Sequence, residues 1–243
     1  MKLFNVIFRR ETAAPLSAVV FASSVCMALV LARMVWTGHV RDYRFLAWNL
    51  FLAWLPLVFA LLASDAHRRR PERNWTFRGL ALAWLLFFPN APYIFTDVIH
   101  LTATFRGRFW TDLVLILSCA LTGLVLGFLS LFLMQGVVAR SFGRAASWLF
   151  VAFVAALSGF GIYLGRFLRF NSWDVLLQPL ALGRGVVRWA ADPLANVHAY
   201  AFPVLFGTFL FIAYLMLYAL TQLKHLEVLG KTADRPAGPD ACE

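Results

Sequence analysis

The chain alternates between long apolar segments and short loops that are rich in arginine. Six segments approach the length of about 20 apolar residues that a membrane-spanning helix needs, which is more than a buried strand requires. They cover residues 16–36, 45–63, 77–95, 113–134, 146–167 and 199–223. The pattern therefore predicts an all-α fold, namely an integral membrane helical bundle with six transmembrane helices.

Composition and charge support a membrane protein over a soluble one. Of the 243 residues, 61% are hydrophobic and only 14% are charged, and the mean hydropathy is +0.73. The net charge of +10 would suggest nucleic acid as the partner of a soluble domain. Here the basic residues occupy loops, where the positive-inside rule explains them. We therefore expect no nucleic acid as a partner, and membrane lipids with anionic head groups as the default one.

The organisation along the chain follows from where the apolar pattern weakens. The first segment resembles a signal peptide, but no small-residue cleavage site follows it, so we interpret it as an uncleaved helix. Residues 1–229 are predicted to form one transmembrane domain, and residues 230–243 a disordered cytoplasmic tail. Residues 168–198 are too interrupted to span, and Asn171 and Asp174 resemble a capping box. We expect interfacial helices there, with head-group anchors at Trp173, Trp189, Arg184 and Arg188.

The third apolar segment is the most unusual part of the sequence. Pro89 and Pro92 interrupt it, which predicts a broken helix. Polar side chains then appear before any loop begins, at Asn90, Tyr93, Thr96, Asp97 and His100. If an α-helix restarts at Pro92, then Tyr93, Asp97 and His100 share one stripe at positions i, i+4 and i+7. Such a stripe must face protein or water, and it therefore marks a site.

Asp97 and His100 are the candidate catalytic pair. Asp97 could orient His100 as a general base, or both could ligate a metal. Alternatively, they hydrogen-bond to neighbouring helices and only fix the packing. A charged group deep in a bilayer costs about 2.5–3.5 kcal/mol on insertion scales and less near the interface. The residue types therefore leave both explanations open.

Loop charge predicts the orientation of the protein. Arg68, Arg69, Arg70 and Arg73 cluster in a short loop, where the positive-inside rule is strongest. We therefore expect both termini in the cytoplasm. With this orientation, the unusual polar positions converge on the outer leaflet, and they are Asn49, residues 90–100, Arg166, Arg169, Asn171 and Asp174.

Several of these residues are candidate ligand-binding groups. Arg166 and Arg169 suit bidentate recognition of a phosphate or carboxylate, although Arg166 could instead neutralise Asp97 across the bundle. The break at Asn90 could expose backbone groups to a ligand, or Asn90 could simply satisfy the backbone that the kink frees. The predicted substrate-binding set is Asn49, Asn90, Tyr93, Arg166, Arg169, Asn171 and Asp174.

The sequence predicts neither a cofactor nor a metal. His39, His100 and His198 all map to the outer side, but their spacing matches no metal-binding helix motif. The three cysteines form no Cys-x-x-Cys pair, and glycine-rich nucleotide loops are absent.

Two small-residue stripes predict close helix contacts. Gly123 and Gly127 lie four apart in the fourth segment, and Gly161 and Gly165 lie four apart in the fifth. Such stripes allow two backbones to approach each other in a membrane. Close packing between these two helices is one interpretation, and chance spacing is the other.

Three stretches of the chain resemble a known family, the uncharacterised bacterial membrane proteins grouped as domain of unknown function 1361. They are WNLFLAWLP at 48–56, FFPNAPYIFTDVIHL at 87–101 and GRFLRFNSWD at 165–174. The resemblance runs from about residue 45 to the last helix. It implies a bacterial plasma (inner) membrane protein, and it implies signature positions at Asn90, Asp97, His100, Arg166, Asn171 and Asp174. It implies no activity.

Three classes of function remain. The first is an enzyme or binding protein that uses the outer polar site on a lipid or a lipid-linked anionic substrate. The second is a membrane scaffold or assembly factor whose polar cluster is structural and whose surface docks a membrane protein partner. The third is a small transporter, for which six helices suffice, especially in a homo-oligomer. Inverted repeats would indicate transport, but only the third segment is clearly broken.

Overall fold

The computed structural model describes residues 10–38, 40–69, 75–103, 109–191 and 197–233. Within them, side chains are described over 14–38, 43–69, 75–101, 109–191, 197 and 199–221. These residues are almost entirely helical, and the described part of the chain contains no strand. The α-helices in chain order are α1 (Arg10–Thr37), α2 (Val40–Arg69), α3 (Trp75–Phe87), α4 (Asn90–Tyr93), α5 (Phe109–Arg166), α6 (Asp174–Leu177), α7 (Pro179–Ala191) and α8 (Val197–Ala233).

Five helical stretches of the described chain are long and apolar enough to cross a membrane. They are Ala14–Thr37, Tyr43–Arg69, Trp75–Leu101, Phe109–Arg166 and Ala199–Thr221. The predicted fourth and fifth segments both fall within α5, which has 58 residues. A straight helix of that length would measure about 87 Å, close to three bilayer cores. Inside α5, Gly143 has φ 88° and ψ 172°, a non-helical conformation that favours glycine.

The break predicted in the third segment is confirmed. Helix α3 ends at Phe87, because Pro89 has no N–H and its ring excludes a continuous helix. The Asn90 side chain donates a hydrogen bond to the Phe87 carbonyl at 3.0 Å, which satisfies a backbone group near the break. After α4 the chain continues as a 3-10 helix over Ile94–Ala103.

The predicted α-helical restart after Pro92 is wrong, and this changes which side chains line up. A 3-10 helix has about three residues per turn, so positions i and i+3 share an edge. Asp97 and His100 therefore lie on one edge, whereas Tyr93 precedes the 3-10 helix as the last residue of α4. Ten consecutive residues is long for this type of helix, which usually extends over three or four.

The glycine stripes of α5 both face the break in the third segment. A Cβ built on Gly123 would lie 2.6 Å from the Ala91 carbonyl oxygen, and one built on Gly161 would lie 2.8 Å from Pro89 Cγ. The expected contact between the two stripes is therefore replaced by contact of each with the intervening segment. Without side chains at these positions, α5 holds the irregular backbone from two sides.

The break also joins the two apolar cores of the bundle. Ile94 is fully buried in a cluster with Leu46 of α2 and Leu126 of α5. Phe88 is buried in a second cluster, which includes Trp84 and Val151. The irregular segment is thus fixed by packing in both apolar clusters.

The region between α5 and α8 forms short helices that cannot cross a bilayer. Helix α7 has 13 residues, so it measures only about 20 Å. Leu176, Leu177 and Leu180 are exposed, as expected for side chains that face lipid. Helix α8 continues to Ala233, past the predicted start of the tail at residue 230, and residues 234–243 lie outside the described part.

Candidate functional site

Asp97 is the buried centre of the candidate site. Only 1% of this residue is exposed. Asn49 Nδ2, from α2, donates a hydrogen bond to Asp97 Oδ2 at 2.7 Å, and Arg166 Nη2, from the end of α5, donates to Oδ1 at 2.5 Å. Arg166 thus neutralises Asp97 across the bundle, which is the alternative role that the sequence left open for this arginine. One carboxylate joins three elements of the bundle.

Arg166 is held by more than its carboxylate partner. Its Nε and Nη2 atoms both donate to Thr96 Oγ1, at 2.9 and 2.6 Å. Its guanidinium carbon also lies 4.6 Å from the centre of the Tyr93 ring, in cation–π geometry. Tyr93, the last residue of α4, and Thr96, in the first turn of the 3-10 helix, thus contact the same guanidinium. The positive charge of Arg166 is therefore compensated within the protein.

His100 lies beside Asp97 but at a longer distance. Its Nε2 atom is 4.0 Å from Asp97 Oδ1, beyond a direct hydrogen bond, and half of the side chain is exposed. Its ring centre lies 4.4 Å from that of Phe45. The half-exposed imidazole thus lies next to a buried carboxylate. Asp97 and His100 are thus neighbours, as the sequence predicted, without a hydrogen bond between them.

A cavity of about 480 Å³ opens beside these residues, between α2, the third segment and the second half of α5. One end is polar, and its lining includes Asn49, Asn90, Asp97, His100, Arg166, Asn171 and Ser172. The remaining wall is mostly apolar, and it includes Trp48, Leu52, Leu82, Leu85, Leu86, Leu157, Phe160, Leu164 and Leu182. The lining is therefore amphipathic, with a hydrogen-bonded group of polar side chains and a larger apolar surface.

Asn90 and the loop after α5 close the polar end of the cavity. Asn90 Nδ2 donates to Ser172 Oγ at 2.9 Å, which connects the helix break to this loop. The buried Asp174 carboxylate accepts the Asn171 backbone N–H at 2.6 Å. This bond is one half of the capping box that the sequence suggested, and it shapes the loop that presents Ser172.

The structure brings most of the predicted site residues together. Asn49, Asn90, Tyr93, Asp97, His100, Arg166 and Asn171 all line the cavity. Asp174 acts through Asn171, as described above. Arg169 does not line the cavity, because it lies exposed in the turn after α5 with φ 59°. Thr96 and Ser172 are additions, and the sequence indicated them only as polar residues near Asp97 and Asn171.

A second ion pair at the same end of the bundle was not predicted. Arg33 Nε, from the end of α1, donates to Asp112 Oδ1 at 2.8 Å, and the Tyr43 hydroxyl donates to the same oxygen at 3.1 Å. The signal was Arg33 near the end of an apolar segment and Asp112 near the start of another. The pair fastens α1 to α2 and α5.

No metal centre is visible in the part of the chain that the structure describes. There, no three His, Cys, Asp or Glu side chains lie close enough together to hold an ion. His39 and the side chain of His198, which the three-histidine hypothesis needs, lie outside the described residues.

The helices and this buried polar cluster define the class of the molecule as an all-helical membrane protein. The chain belongs to the family described as "Protein of unknown function (DUF1361)", whose model matches residues 48–213, more than half of its length. This match includes every described residue that lines the cavity except Phe45, and it does not include α1. No curated protein and no solved structure matches the chain.

Proposed function

We propose that the protein binds a lipid or lipid-linked molecule in the cavity between α2, the third segment and α5. The observation that carries the proposal is the polarity of the cavity lining. Amides, an imidazole and a hydroxyl lie at one end, and leucine and aromatic side chains form the remainder. A ligand that is polar at one end and apolar at the other matches this order of surfaces.

The positions of the polar and apolar cavity residues along their helices support the same kind of ligand. Leu157 lies nine residues before α5 ends at Arg166, whereas Asp97 and His100 lie within the last five residues of the stretch Trp75–Leu101, and Ser172 lies beyond the end of α5. A lipid in a bilayer has the same arrangement, with its chains toward the middle and its head group at the surface. The cavity is thus oriented to admit an amphiphile without inverting it.

The membrane topology forms part of this proposal. With Gly143 as the turn, α5 would cross the membrane twice and the chain six times. The arginines near residues 68–73 and Arg140 and Arg144 would then share the cytoplasmic side with both termini. The polar end of the cavity would face the outer leaflet of a bacterial plasma membrane, and α6 and α7 would lie in its interface.

Filling the apolar wall tests the proposal. Leu157 lines the cavity, whereas Leu149 lies two turns earlier on the same helix and is 73% exposed. The wild type, Leu157→Trp and Leu149→Trp would be purified in a polyoxyethylene ether detergent, and their retained lipids identified by mass spectrometry. We expect a specific lipid on the wild type and on Leu149→Trp, and its loss from Leu157→Trp. Equal lipid content in all three proteins would refute the proposal.

A structural scaffold is the second candidate, and a separate observation favours it. Asp97 and Arg166 satisfy each other, and with Asn49 and Thr96 they join α2, the 3-10 helix and α5. Such a network explains the polar residues without any ligand. The two candidates differ in what the cavity does, so retention of lipid by the wild type and its loss from Leu157→Trp separates them.

A further inference from the structure

We infer that the polar end of the cavity accepts an uncharged, hydroxyl-rich head group, such as a single sugar carried by a lipid. The inference depends on the proposed function, since it concerns the head group of the same ligand. Its basis is the balance of charge and hydrogen-bonding groups at that end of the cavity.

The charge balance argues against an anionic head group. Among the described residues that line the cavity, the only permanent cation is Arg166. That guanidinium is bound to Asp97 and Thr96 and lies over the Tyr93 ring. A phosphate or carboxylate is usually recognised by cations or helix N-termini that no protein group already neutralises. Drawing Arg166 to a ligand would leave Asp97 buried without its partner.

The same balance argues against a cationic head group. Asp97 is the only carboxylate among the described lining residues, and it already accepts hydrogen bonds from Asn49 and Arg166. The aromatic face best placed for a cation, that of Tyr93, is covered by Arg166. An ammonium group would therefore compete with a cation that the fold holds in place.

The remaining groups suit hydroxyls, which both donate and accept hydrogen bonds. Each asparagine amide offers two N–H donors and an acceptor oxygen. Asn90 uses its amide nitrogen on Phe87 and Ser172, and its side-chain oxygen accepts no hydrogen bond within the described residues. Ser172 accepts from Asn90, which leaves its own O–H to donate. Donors and acceptors of this mixed kind recognise a neutral polyol better than an ion.

An aromatic surface borders these groups. Trp48 lines the cavity and is 53% exposed, so its ring is accessible. The face of an indole ring is electron-rich, and the C–H groups of a sugar ring can pack on it. The same cavity thus offers both an exposed aromatic face and the polar groups that a sugar contacts.

The test compares three lipids with identical acyl chains: glucosyl diacylglycerol, phosphatidylglycerol and diacylglycerol. Native mass spectrometry from a polyoxyethylene ether detergent gives their relative Kd values without a competing sugar detergent. We expect the glucosyl lipid to bind about tenfold more tightly than diacylglycerol, as two or three neutral hydrogen bonds would give. We also expect it to bind more tightly than phosphatidylglycerol, and all binding at the cavity to be lost in Leu157→Trp.

Two matched pairs of variants locate the preference. Trp48→Leu and Ser172→Ala should each reduce the advantage of the glucosyl lipid severalfold. Trp110→Leu and Ser118→Ala should not, because Trp110 is exposed elsewhere and the Ser118 hydroxyl bonds to its own helix. Variants that fail to fold would be recognised by their melting temperature, and the lipid comparison on the wild type decides the inference without them.

Each outcome of the lipid comparison has one meaning. Tighter binding of phosphatidylglycerol, lost in Leu157→Trp, would overturn the neutral head group but keep the lipid site. Equal binding of glucosyl lipid and diacylglycerol would show that the head group is not recognised, which also overturns the inference. Failure of all three lipids to bind in a Leu157-dependent way would remove the proposed function and the inference with it.

Discussion

Neutralising Asp97 tests whether the buried cluster holds the bundle together. Asp97→Asn keeps the size of the side chain but removes the charge that faces Arg166 at 2.5 Å. It also forces an amide N–H toward Arg166 or toward the Asn49 N–H, since both neighbours are donors. The variant therefore creates an unpaired buried cation and one opposed pair of donors.

The expected loss follows from burial. Removing one partner of a buried ion pair costs about 3–5 kcal/mol, because the other charge remains desolvated. For a chain of this size, roughly 2–4 °C per kcal/mol converts this to a fall of about 6–20 °C in melting temperature. The matched control is Asp65→Asn, since Asp65 pairs with Arg69 on the surface of α2. An exposed pair contributes about 0–1 kcal/mol, so the control should melt nearly as the wild type does.

A double-mutant cycle then separates the pair from its surroundings. We expect Asp97→Asn combined with Arg166→Gln to be less destabilised than the sum of the single variants, by about 1–3 kcal/mol. Melting would be followed in detergent by tryptophan fluorescence. If Asp97→Asn melts like the wild type but abolishes the phenotype of a deletion strain, the carboxylate serves a ligand or a reaction instead. Additive losses would refute the pairing argument.

Three further predictions concern the packing and the topology. Gly123→Ala should destabilise the protein by about 1–3 kcal/mol, because the new Cβ would lie 2.6 Å from a backbone oxygen of the break. In the control Gly136→Ala, the new Cβ would meet nothing closer than 3.8 Å, so the melting temperature in detergent should not change. Asp112→Asn should leave Arg33 without its carboxylate partner, destabilise the protein by at least about 1 kcal/mol and therefore lower its melting temperature. An unchanged melting temperature would show that α1 is held by apolar contacts alone. A reporter fused after Gly143 should give a cytoplasmic signal, and an outer signal there would invert the proposed topology.

The positions of the membrane helices could be predicted from the sequence because the physical requirement is simple. A span needs a sufficient length of apolar residues, and that is visible without any tertiary information. The predicted segments 113–134 and 146–167 lie on either side of Gly143, where the backbone leaves the helical conformation. Length and hydropathy therefore indicated two segments here, but they did not indicate the position of the break.

The type of helix after Pro92 could not be predicted because α and 3-10 helices differ by a fraction of a residue per turn. Because the 3-10 helix begins at Ile94, Asp97 and His100 share an edge at positions i and i+3, whereas Tyr93 belongs to the preceding helix α4. The choice is made by packing, since the segment must fit between the glycine stripes of α5. The helix propensities of the residues in this segment contain no information about the glycine stripes of α5.

The central pair of the site was accessible to sequence reasoning, and the second pair was not. A lone carboxylate and a lone guanidinium at similar depth predict each other, which led from Asp97 to Arg166. Asp112 gave no reason to expect an ion-pair partner, because an acidic residue is already favourable in the first turn of a helix. Arg33 was equally unremarkable near the end of a segment. Only the fold shows that these two unexceptional charges meet.

The cavity borders the break in the third segment. Pro89 turns the chain onto the glycine stripes of α5, and Pro89 and Leu157 both line the cavity. Asp97 then anchors the far end of this segment to Arg166 and Asn49. The buried charges and the cavity are therefore parts of one arrangement, in which the ion pair maintains the diversion that the prolines begin.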